Sequence, residues 1–149
     1  MTDDTFDEDP EFQKQYQMDL AINNEDLSSE FIKHPALLSS YAGIYEAASD
    51  AYRRMKSDME IFEAEARSEI RDKWNSDKRM TVDTVADALL TNKEYRVRKK
   101  RLLELEHEVE TIKVCFESIR EKGRVLLSLG TLKRAEMESG LWLGQKQRS

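Results

Sequence analysis

Ten cations carry most of the chemistry this sequence offers. Arg67, Arg71, Lys73, Lys78 and Arg79 form one group; Arg96, Arg98, Lys99, Lys100 and Arg101 form a second. From Lys93 to Arg101, six of nine residues are cationic and Glu94 is the only acid. Lysine and arginine at that density neutralise phosphates and release condensed counterions, an attraction for nucleic acid that does not depend on base sequence. Trp74 and Tyr95 lie beside the two groups and offer faces for base stacking. The competing reading is that these cations merely flank a helical turn and pair with Glu69, Asp72 and Asp77, as charge runs on solvated faces do.

No enzymatic signature accompanies them. The chain has no P-loop, no G-x-G-x-x-G, no H-E-x-x-H, no CxxC and no G-x-S-x-G. It therefore reads as a non-enzyme with no cofactor or metal. His34 fits a helix seam with a local hydrogen bond better than it fits catalysis, because the only other histidine, His107, lies on a different helix with no ligand set around it. Cys115, the single cysteine, excludes an internal disulfide and reads as a buried, reduced thiol.

Long helices must position the cations. Tyr95, Leu102, Val109 and Phe116 recur every seven residues, with Arg98, Leu105, Ile112, Ile119 and Leu126 at the three-residue offset. Thr91 with Glu94 predicts a capping-box start, and Gly123 and Gly130 weaken the far end, which gives a helix of about forty residues from Thr91 to Leu129. A second seam pairs Leu27, His34, Tyr41, Ala48, Met55 and Phe62 with Phe31, Leu38, Tyr45, Tyr52, Met59 and Ala66. Asn23 and Asn24 offer its caps, and Pro35 predicts a kink or restart. Asp9-Pro10 starts a short helix carrying Phe12, Tyr16 and Leu20. Asn75-Ser76-Asp77 is a turn cluster, after which Thr81 caps a short helix with Val85, Ala88 and Leu89. A further short helix is expected from Leu132 to Glu138, ended by Gly140. The predicted fold is all-α: a long antiparallel helical hairpin with short flanking helices, self-associating, its two cation groups meeting at one tip.

The totals agree with that class. The chain has 149 residues, 36% of them charged, and few glycines and prolines. Its formal charge of -6 divides unevenly: residues 1–30 carry -9 and the remainder +3. Residues 1–9 read as a disordered acidic head, 10–140 as a single helical domain and 141–149 as a C-terminal tail. Neither a membrane span nor a signal peptide is expected, which places the chain in the cytoplasm.

The order of several local patterns resembles the UvsY-type recombination mediators of tailed phages. The resemblance covers about residues 12 to 140. It rests on Asp19-Leu20-Ala21-Ile22 followed by Leu27 and Glu30, on the helix through Tyr41 and Tyr45, and on Val82 to Leu90. The nearest part is Cys115-Phe116-Glu117-Ser118-Ile119-Arg120-Glu121-Lys122-Gly123, then Leu126, Leu129, Arg134, Glu136 and Gly140. It implies a ring-forming homo-oligomer, commonly a heptamer, that binds single-stranded DNA and helps load a RecA-like recombinase onto strand covered by single-strand-binding protein. Within it, Arg67, Arg71 and Lys73 inherit the DNA-contact role. The acidic head is extra to that pattern, and Glu69 and Asp72 dilute its positive charge. The expected function is accordingly a DNA recombination mediator in the host cytoplasm; the alternative is a heptad-rich structural or adaptor protein with no DNA binding.

Overall fold

The computed structural model describes residues 9–74 and 79–146, the side chains of 141–146 excepted, and these residues form four α-helices and no strand. In chain order they are α1 (Pro10–Leu20), α2 (Leu27–Asp72), α3 (Val82–Thr91) and α4 (Lys93–Lys146). The residues up to Tyr45 with those from Ile112 onward make one compact unit; Glu46–Thr111 make a second. Residues 1–8 of the expected head, the Asn75-Ser76-Asp77 turn and Lys78 lie outside the described residues.

In the first unit, Asp9 caps α1 by accepting from the amides of Glu11 (3.0 Å) and Phe12 (3.3 Å), with Pro10 in the first turn where its missing N–H costs nothing. The apolar side of α1 then meets both long helices. Phe12, Tyr16 and Leu20 pack on a core of Tyr41, Cys115 and Ile119. The Phe12 and Tyr16 ring centroids stand 6.3 and 6.1 Å from that of Tyr41, and Tyr45 stacks on Phe116 at 5.9 Å. Burial, then a hydrogen bond donated by the Tyr41 hydroxyl to Asp19 (2.9 Å), push the Tyr41 phenol well above its ordinary pKa.

One residue of this core looks like a surface charge in the sequence. Lys122 is buried, and its ammonium donates to the carbonyls of Asp19 and Ala21, each at 2.8 Å, and pairs with Glu30 at 2.8 Å. Three protons meet three acceptors. Glu30 also accepts from the Asn23 amide at 3.1 Å, so the α1–α2 connection is tied to α4 through one carboxylate. The Lys122 hydrogen bond is the main reason that the Glu30 carboxyl titrates below its ordinary value.

Several helix ends differ from the sequence expectation. α2 is capped by Asp26, which accepts from the Ser29 amide at 3.1 Å, while Asn23 turns the preceding loop by accepting from Glu25. Helical structure continues through Pro35 from Leu27 to Asp72, although the proline removes one intrahelical bond. α4 does not stop near Leu129 or give way to a separate short helix; it continues through Gly130 and Gly140 to Lys146. Neither glycine takes the left-handed conformation that closes a helix. Gly130 instead makes room for a neighbour, since a Cβ there would stand 3.0 Å from Phe31 Cζ. His34 keeps its seam position but makes no local hydrogen bond at its buried Nδ1, and its ring lies against Gly123, whose added Cβ would come 2.5 Å from Nε2.

The second unit encloses Met59, Ala66, Leu89 and Tyr95, with Phe62, Ile70 and Leu102 packed around them. All but Leu89 and Ile70 are seam positions of the long helices, and Leu89 is the apolar end of α3. Thr91 belongs to α3, donating to the Ala88 carbonyl at 2.7 Å, so it does not begin α4. Asn92 does: its side chain accepts from the Tyr95 amide at 3.0 Å.

Candidate nucleic-acid interface

Four residues apart on α2, Arg67 and Arg71 share a helix face. That face meets the start of α3, where both arginines line a groove of about 220 Å³ with Met80, Thr81, Val82 and Val85. The groove exists because Val85 and Leu89, buried on one side of α3, hold that short helix against its neighbours. Thr81 caps it, accepting from the Thr84 amide at 3.2 Å, while the amides of Val82 and Asp83, at the very start of α3, have no intrahelical acceptor. Two guanidinium groups beside the positive end of a helix favour an anion. Asp83, in the first turn of α3, offsets part of that field.

The other expected site residues divide by what already occupies them. Arg67, Arg71, Arg79 and Arg96 make no ion pair among the described residues, and the last three are exposed. Lys73 faces Glu69 at 3.9 Å with both side chains mostly in solvent, a pairing worth little. Arg98 is half-buried: its guanidinium lies 4.5 Å from the Phe62 ring centroid and bonds Glu94 at 2.7 Å. This single cation in the seam therefore serves packing. Lys100 and Arg101 share Glu104 at 3.6 and 3.4 Å. Lys99 donates to the Tyr95 hydroxyl at 3.3 Å.

Both cation groups border one core. Arg67 and Arg71 each follow a residue packed in or against it, Ala66 and Ile70, and Arg96 follows Tyr95. Yet the groups are unequal, because Arg98, Lys100 and Arg101 of the α4 run are engaged by Glu94 and Glu104 of the same helix. Tyr95 is buried and offers no face for base stacking; Trp74 is half-buried. The start of α3 was not singled out as part of the site in the sequence. The available signal was Thr81, a cap residue two positions after Arg79 and directly before an apolar helix.

Among the described residues, no group of three or more His, Cys, Asp or Glu could hold a metal ion, and no helix is long and apolar enough to cross a membrane. No family model, curated protein or solved structure matches this chain.

Proposed function

We propose that this protein binds single-stranded DNA without sequence preference and acts as a recombination mediator of the UvsY type, assisting a RecA-like recombinase onto strand covered by single-strand-binding protein. Arg67 and Arg71 make the principal phosphate contacts, with Lys73, Arg79 and Arg96 around them. The observation that carries this reading is the convergence of two arginines, neither paired to a carboxylate among the described residues, on the first turn of α3. The work is electrostatic, and no bond is made or broken.

The mediator reading also needs an antiparallel hairpin and self-association. Supporting the hairpin, residue pairs within each unit run in opposite chain directions: Phe31 with Gly130 and Tyr45 with Phe116 in the first, Tyr52 with Glu106 and Phe62 with Arg98 in the second. In a ring of such subunits, each site is weak alone, and the sites add through effective concentration on one strand.

Salt dependence tests the reading. Five phosphate contacts per subunit give a slope of about -3.5 for log affinity against log salt, so affinity for an oligothymidine falls roughly 130-fold between 50 and 200 mM salt. An affinity indifferent to salt rules the proposal out.

A further inference from the structure

A different surface, in the first unit, is sorted by charge. Two adjoining pockets of about 570 and 300 Å³ share Phe31 and Leu127 and together form a groove between the start of α2 and the later part of α4. Its floor is apolar, and its charged lining consists of Arg120, Arg124, Lys133 and Arg134. Among the described residues no acid lines either pocket, in a chain with more acids than bases. Leu127 is 65% exposed, and no residue of α1 covers the groove. Arg124 has a competitor in Glu121 at 2.8 Å, but both side chains are largely in solvent, where such a pair is weak.

We propose that this groove receives residues 1–8 of a second copy of the chain. That segment is its complement in composition: Asp3, Asp4, Asp7 and Glu8 against four cations, with no base, and Phe6 among them for the apolar floor. Charge complementarity of this kind selects and orients a partner, and a buried aromatic anchor supplies affinity.

Reach decides that the segment comes from another copy. α1 spans 11 residues, roughly 16 Å. Phe12 and Tyr16 lie on Tyr41, while the opposite end of α1 meets Lys122 through Asp19 and Ala21. A segment leaving Asp9 must double back along all of α1 and then pass about five more residues of α4 to reach Leu127, roughly 24 Å in all. Phe6 lies three residues from Asp9, a span of about 11 Å at full extension. It falls short of Leu127 and Phe31, the apolar floor that the two pockets share, by about half. A contact between the head of one protomer and the groove of the next is heterologous, so it propagates until a ring closes or a filament grows.

The test combines two measurements. Light scattering compares the full chain with a variant lacking residues 1–8, and a labelled peptide of residues 1–9 is titrated into that truncated protein. The expected result is a lower mass on truncation and saturable peptide binding. Binding should weaken at least tenfold for Phe6→Ala in the peptide, and likewise for Arg124→Glu with Leu127→Asp in the protein. Both substituted protein side chains are exposed, and circular dichroism checks that helicity is retained. An unchanged mass on truncation, absent peptide binding, or binding indifferent to the groove substitutions each overturns the proposal.

Discussion

Replacing Lys122 by methionine keeps most of the length of the side chain and removes its charge and its three N–H donors. Lys122 is 5% exposed and its Glu30 partner 19%, and the ammonium holds two carbonyls as well as the carboxylate, all at 2.8 Å. Lys122→Met leaves Glu30 with the Asn23 amide alone and strips the Asp19 and Ala21 carbonyls of their shared donor. Breaking one side of a buried ion pair costs about 3 to 5 kcal/mol, a large share of the roughly 5 to 15 kcal/mol that holds most domains folded. Urea unfolding followed by circular dichroism at neutral pH should show that loss, and limited proteolysis should open first at the α1–α2 connection. Lys122→Met with Glu30→Gln should recover part of it, because the stranded charge is gone while the carbonyls remain unpaired. The pair also sets an acid limit. The fold holds Glu30 below its ordinary value of 4.5, so its contribution is complete above that pH and is lost as pH falls below it towards the folded value. The single mutant should lose most of that pH dependence. A stability change under about 1 kcal/mol would refute the account of Lys122 as the tie between the α1–α2 connection and α4.

Arg67→Ala with Arg71→Ala and Lys73→Ala should lower single-stranded DNA affinity and reduce the salt slope by about two units, with helicity and mass unchanged; unchanged binding in a gel shift moves the site to Arg96 and its neighbours. Gly123→Ala should cost about 1 to 3 kcal/mol in chemical denaturation, since its Cβ would meet His34 Nε2 at 2.5 Å. Adding His34→Ala should lessen that cost, and equal loss in single and double variants would show that the contact is not its source. Burial, then the charge of Lys122, hold the His34 imidazole below its ordinary 6.5, with Glu30 opposing them. The fold therefore prefers neutral His34, and its contribution is complete above 6.5 and lost as pH falls below that towards the folded value. His34→Gln should flatten stability in that window, as read from thermal midpoints across the range.

The two seams were legible because a seven-residue apolar repeat on a helix has one burial solution. Tyr41, Ala48, Met59 and Ala66 on α2, with Tyr95, Ile112, Ile119 and Leu126 on α4, are buried where their spacing puts them. Lys122 was not legible, since a lysine in a charged helix has the same one-letter appearance whether it meets water or three acceptors. Its burial depends on the α1–α2 connection arriving from about a hundred residues away. Gly130 misled for a related reason: glycine ends helices when it turns left-handed, but here it admits the ring of Phe31. In the candidate interface, the two cation groups were visible by count alone. What separates Arg67 and Arg71 from Arg98 is the three-dimensional neighbourhood, a groove mouth for one pair and the Phe62 ring with Glu94 for the other.

Asn92 has a mechanical consequence. It is the sole residue between α3 and α4, and it closes one helix and opens the next: its amide donates to the Leu89 carbonyl at 2.9 Å, its carbonyl accepts from the Arg96 amide at 3.2 Å, and its side chain accepts from Tyr95. An elbow whose amide, carbonyl and side-chain oxygen are all engaged leaves little slack in which a displacement can dissipate. A pull on the Thr81 end of α3 is therefore transmitted as torque to the first turn of α4, where Arg96 rides.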